Sequence, residues 1–160
     1  MGITLFQHVS VVPPEGLVCE FSMIGKPNGE KCPPIIVVIP KGEYPDGSKG
    51  NRHGKYIASM TMLALCEFDP WCLILDLREL DYRWGNTLAK VFEDVARYMD
   101  SEREPGDARF PVIVVTSDKS RAAFLSLVTP TNSPKPEWHY DTMGKAVVAA
   151  IEAANHWIDN

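Results

Sequence analysis

The chain has 160 residues, 45% of them hydrophobic, with 16 basic and 21 acidic side chains for a net charge of −5. That length supports one domain with a real core over residues 1–160, and no run of about 18 apolar residues is available to span a membrane. An acidic chain is poorly suited to general nucleic-acid binding, which needs a basic surface to release counterions, but it suits a basic protein partner.

Met1 to His8 carries neither a basic region nor a long apolar one. This argues against a secretory signal and for a cytoplasmic protein. Residues 3–12 alternate loosely and end in Val9-Ser10-Val11-Val12, which reads as a first strand. After the Pro13–Gly16 turn, Leu17 to Ile24 alternates better and predicts a second strand antiparallel to the first. Gly25 to Gly29 is a turn signal. Ile35 to Ile39 is a dense β-branched strand, bounded by Pro33-Pro34 and Pro40, which are expected to stop the ladder. Residues 40–54 are rich in glycine and proline and predict an exposed loop. Residues 55–66 follow as a helix whose apolar residues spread too widely for a clean stripe.

Trp71 to Leu77 is a continuous apolar run, the pattern of a strand buried on both faces. A turn at Asp81–Gly85 leads into the clearest helix, capped by Asn86 or Thr87. Leu88, Val91, Phe92, Val95, Ala96 and Met99 form its apolar face. Residues 100–109 read as an exposed connection. The strand at 112–116 should lie parallel to residues 72–77, because a single helix of about four turns joins them. Ser120 caps a short helix running to Val128. Trp138-His139-Tyr140 reads as an edge strand, and Asp141 or Thr142 opens a final helix reaching Ala154. The order is β-β-β-α-β-α-β-α-(β)-α. It predicts an α/β fold: a mixed sheet with parallel core strands, helices packed on it, and antiparallel strands at the N-terminus.

Asp76, Glu79 and Asp81 gather at the C-terminal end of the central strand, where open α/β sheets bind ligands. Carboxylates there can do acid–base work or hold a metal. They can equally satisfy local backbone donors or pair with Arg78 and Arg83, and that reading is preferred. The loop from Lys41 to Lys55 holds Lys49, Arg52 and His53, and can cradle an anion at the start of the following helix. Its glycine spacing fits neither a P-loop nor a dinucleotide fingerprint. His53 is read as the one histidine in an exposed, mobile place. Cys19, Cys32, Cys66 and Cys72 form no C-x-x-C pair and read as free thiols in a reducing compartment. No metal site and no cofactor are expected. Tyr82, Arg83 and Trp84 crowd a turn where aromatics are rarely needed for the core, and these residue types anchor protein interfaces. Trp138 and Tyr140 form a second candidate contact strip.

From Ile35 to Ala154 the layout resembles the STAS family, the domain of sulphate transporters and anti-sigma factor antagonists. The resemblance rests on the strand before the helix at 55–66, on Leu73-Ile74-Leu75-Asp76-Leu77 leading into a loop and helix, and on the step from Val112 to Val128. The last helix matches as well. Switching members carry a phosphorylatable serine before the second helix, usually in Asp-Ser-Ser-Gly. The corresponding Asp81-Tyr82-Arg83-Trp84-Gly85 has no Ser or Thr, so the phosphoswitch is not carried over. The resemblance implies a non-catalytic bacterial module that binds and regulates a partner protein, or neutralises one as an immunity protein does. The competing expectation is a small enzyme or ligand-binding protein using the Asp76–Asp81 edge and the loop at 41–55.

Overall fold

A computed structural model describes residues 6–25 and 31–160. Its strands are β1 (Leu17–Met23), β2 (Ile35–Tyr44), β3 (Cys72–Asp76), β4 (Leu80–Tyr82), β5 (Val112–Val115) and β6 (His139–Tyr140). Its helices are α1 (Asn51–Phe68), α2 (Ala89–Met99), α3 (Arg121–Val128) and α4 (Met143–Asp159). The strands join one sheet in the order β1-β2-β3-β5-β6, with β4 paired to the upper half of β2. Only β1 runs antiparallel. The expected mixed sheet with parallel core strands is present. β3 and β5 are neighbours and parallel, in register Leu73 with Val112 through Asp76 with Val115.

Alternation along the central strands sorts their side chains to two faces. Ile36, Val38, Leu73, Leu75 and Val114 point into a core with Ile57 and Leu65 of α1, Val91 and Val95 of α2, and Phe124 of α3. Ile35, Val37, Cys72, Ile74, Ile113 and Val115 face α4, which meets them with Ala146, Ala150 and Ala154. Every residue of β3 is buried, as a strand covered on both faces requires. Each buried Leu, Ile or Val contributes roughly 1.5–3 kcal/mol. Leu88, Val91 and Val95 are buried as the helix face predicts, whereas Phe92 is half-buried and Ala96 is exposed.

Several expectations need correction. The first strand does not form: residues 6–12 have no regular structure, and residues 3–5 lie outside the described residues, as does most of the turn at 25–29. Pro40 does not end β2, which runs on to Tyr44. The reason is directional. Glu43 N–H donates to Gly16 of the β1 side (2.9 Å), and Gly42 N–H donates the other way, to Glu79 (3.0 Å). By alternation the Pro40 nitrogen faces the same side as Gly42. There β2 pairs with β3 only at 35–38 and with β4 only at 42–44. Pro40 therefore fills the gap between two neighbours, where no donor is needed.

The predicted loop at 40–54 shrinks accordingly, because α1 already begins at Asn51. Its buried face is made of His53 and the small residues Gly54, Ala58, Thr61 and Ala64 beside Ile57 and Leu65, which hydrophobicity alone does not reveal. Gly54 sits where α1 passes closest to its neighbours: a Cβ there would lie 2.6 Å from the Tyr44 hydroxyl and 2.7 Å from Thr87 Cγ2. Thr87 and Ser120 are not side-chain caps. Thr87 Oγ1 donates to Asn51 Oδ1 (2.6 Å), tying the start of α2 to the start of α1, and Ser120 Oγ donates to the Leu77 carbonyl (2.8 Å). Thr142 does cap α4, accepting from Lys145 N–H.

Candidate functional site

The turn at 82–86 is fastened from several sides. Tyr82 is buried, not presented to solvent as expected, and its hydroxyl donates to the Gly85 carbonyl. Its N–H donates to Lys119 in the loop after β5 (3.2 Å), and Gly47 N–H donates to the Trp84 carbonyl (3.3 Å). Beneath the turn, the Tyr82 ring meets Tyr44 edge-on at 4.9 Å, and Tyr44 in turn lies 6.2 Å from His53. Burial, with Tyr44 alongside, pushes the Tyr82 phenol up to about 12. It therefore stays a neutral donor at any physiological pH.

On this support Arg83 and Trp84 face outward. Trp84 is 68% exposed and its ring rests against Gly47. Gly47 has φ +60°, and a Cβ there would lie 2.5 Å from Trp84 Cζ3, so both the backbone and the ring exclude a side chain. Arg83 reaches Asp46 at 3.6 Å across the same rim. Behind the turn is a cleft of about 460 Å³, closed by Ser48 and Asn51 on one side and by Ala123, Ser126 and Leu127 of α3 on the other. The sequence places Gly47 and Asn51 in the loop at 41–55 but gives no sign that they meet this turn, and none of the α3 wall. Their polar and small types carry no signal until the sheet brings them together.

No family model and no curated protein matches the sequence. Among solved structures, an anti-sigma factor antagonist from Mycobacterium paratuberculosis is similar with a TM-score of 0.52. The match covers 83% of this chain and 94% of that one at 13% identity. This chain shares its fold with that protein. The STAS layout expected from residues 35–154 is thus present, with the cleft at the C-terminal ends of its parallel strands. In this STAS-type fold the turn from Asp81 to Gly85 leads into α2, and β4 is the short strand that the sequence reading took as part of the loop.

The acidic edge does not assemble as a catalytic group. Asp76 is buried, and its carboxylate accepts from Arg78 Nε and an Arg78 terminal nitrogen (both 2.9 Å) and from Arg78 N–H (3.1 Å). Asp76 is therefore spent within its own turn. Glu79 pairs with Lys41 (3.3 Å), which also holds Glu20 (2.9 Å), and Asp81 is exposed on β4. The cations of the loop also separate. Lys49 is exposed, while Arg52 donates to the Val12 carbonyl (3.0 Å). His53 is neither exposed nor in a loop: it is buried in the first turn of α1, with Nε2 3.0 Å from the Glu15 carbonyl.

The second strip is likewise tucked in. Trp138 is half-buried against Phe92 (5.7 Å) and Phe124 (5.9 Å), and Tyr140 is half-buried on β6. Between them His139 is buried, stacked on Phe124, with Nε2 2.7 Å from Thr116 Oγ1. Burial pushes the Cys19 and Cys72 thiols up to about 12, which makes them poor nucleophiles.

Proposed function

We propose that this chain is a non-catalytic regulatory module that binds a protein partner through the Arg83–Trp84 turn and the cleft behind it. The observation that carries the reading is an exposed Trp84 held on a turn fastened by Gly47, Lys119 and its own Tyr82. Such a platform loses little freedom on binding, and Trp and Arg are the side chains that dominate interfaces. Tyr82 serves as the support of this site and not as a contact. The similar anti-sigma factor antagonist is consistent with regulation by protein contact. The proposed setting is the bacterial cytoplasm, with residues 1–160 acting as a single domain. A basic partner matches the net charge of −5. Binding is stoichiometric, since the turn at 81–85 offers no Ser or Thr for the family's phosphoswitch, and its one hydroxyl, on Tyr82, is buried and bonded to Gly85. An immunity-type protein that covers a basic effector is the specialised form of the same reading.

The test is a pull-down from the native host, then calorimetric titration of the recovered partner. Trp84→Ala and Arg83→Ala should each weaken binding by about 1–2 kcal/mol with unchanged circular dichroism. Wild-type affinity in both variants would move the interface elsewhere, with Trp138 and Tyr140 next to be tested. The cleft volume also falls within the range of small-ligand sites, which keeps a ligand-binding protein as the second reading. A small molecule that competes with the partner and is lost with Trp84→Ala would favour it.

A further inference from the structure

β1 is an edge strand whose outer side is open among the described residues. Ile24 N–H donates to Ile35 and Glu43 N–H to Gly16, so the even-numbered residues of β1 bond to β2. By alternation, Cys19, Phe21 and Met23 turn their N–H and C=O groups outward. Edge strands are ordinarily protected by proline, lysine, a bulge or shortness. β1 is seven residues long, contains neither proline nor lysine, and has as its one charge Glu20, which is drawn to Lys41 at 2.9 Å.

The same chain carries a second unsatisfied feature. Phe6, Val9, Val11 and Val12 are 97%, 85%, 82% and 58% exposed in a segment without regular structure. Val9 and Val11 share the period-two spacing of a strand face. The foot of this arm is tied down by three contacts, two of them to α1. Arg52 holds the Val12 carbonyl, His53 lies against the Glu15 carbonyl, and Leu17 N–H donates to Pro14 (3.2 Å). These ties involve residues 12–17 only, so residues 6–11 can meet a second chain with the ties intact.

We propose that Phe6–Val12 is an exchange arm that pairs with the outer edge of β1 in a second copy of this chain, forming a two-fold dimer in which each protomer receives the other's arm. The two features are matched in kind: a strand-patterned apolar segment and an unprotected strand edge. A reciprocal exchange satisfies both at once and closes, so it yields dimers instead of fibres.

Sedimentation equilibrium of the full chain from low micromolar to sub-millimolar concentration tests this. The wild type should dimerise, and Val9→Lys/Val11→Lys should weaken the dimer at least about tenfold with unchanged circular dichroism. Met23→Pro removes an outward N–H without touching the β1–β2 ladder and should do the same. Hydrogen exchange at Cys19, Phe21 and Met23 should slow as wild-type concentration rises. A wild type that stays monomeric overturns the proposal, as does a dimer that keeps its affinity in the arm variant. A folded Met23→Pro protein that still dimerises normally overturns β1 as the acceptor. If Met23→Pro does not fold, the arm variant and the exchange measurement decide.

Discussion

Trp84 and Trp138 belong to two strips of the same make-up, each an aromatic–basic–aromatic triplet just before a helix: Tyr82-Arg83-Trp84 before α2 and Trp138-His139-Tyr140 before α4. Their environments differ because of what stands opposite. Trp138 meets Phe92 of α2 and Phe124 of α3, so its ring is drawn into the core. Trp84 meets Gly47, which offers no side chain, so its ring lies on a backbone shelf and stays open to solvent. The middle residue differs as well: Arg83 is exposed, while His139 is 2% exposed against Phe124. An aromatic triplet is thus a core plug or an exposed surface according to the size of its opposite neighbour.

The largest effect that sharpens this contrast lies beneath the second strip. Phe124 is fully buried and touches Phe92, Trp138 and His139. Phe124→Ala should cost about 3–5 kcal/mol in urea denaturation, and Trp138→Ala, being half-buried, about 2–3 kcal/mol. A Trp138→Ala protein as stable as wild type would erase the distinction between the strips. Next comes the shelf: Gly47→Ala should cost about 1–2 kcal/mol, because φ +60° disfavours a side chain and the new methyl displaces the Trp84 ring. A shifted Trp84 fluorescence should accompany that loss, measured with Trp71, Trp138 and Trp157 replaced by Phe.

His139 gives a smaller, pH-dependent effect. Burial, reinforced by Lys135 and Arg121 and opposed by Asp141, lowers its pKa below the ordinary 6.5. Its neutral form is favoured by folding, so stability is full above about 6.5 and falls as pH drops from there toward the lowered value. The melting temperature of wild type should fall between pH 7 and pH 5 more steeply than that of His139→Gln. Equal slopes would remove His139 as the source. Smallest of all, Trp84→Ala should change stability by less than about 0.5 kcal/mol, as expected for a surface side chain.

The strands that were legible were those whose residues are nearly all buried: Ile35–Ile39, Trp71–Leu77 and Val112–Thr116 carry their environment in composition. β4 was not, because Leu80-Asp81-Tyr82 is too short for alternation to register, and its partner stretch, Gly42 to Tyr44, is hidden behind Pro40. Residues 6–12 mislead in the opposite direction, since a strand-like pattern does not guarantee a neighbour to pair with. The candidate site was legible at Arg83 and Trp84, whose chemistry is distinctive. It was illegible at Gly47, Asn51 and Ser126, which matter by position alone, and at Tyr82 and His53, whose burial is decided by long-range packing.

Pro40 has a consequence for how the molecule opens. Below it, β2 is locked to β3 through Ile35–Val38; above it, Gly42–Tyr44 is bonded to the three residues of β4. The upper part is therefore a separate, weaker patch of sheet. It is joined to the core on the β3/β4 side across a position that has no hydrogen to share. Breathing should begin there, as a small cooperative unit that loosens before the body of the sheet. In native-state hydrogen exchange, the amides of Gly42 and Tyr82 should exchange well before those of Ile74 and Leu75. What holds the Arg83–Trp84 turn in place is therefore less the sheet beneath it than its lateral ties, Gly47 to Trp84 and Tyr82 to Lys119.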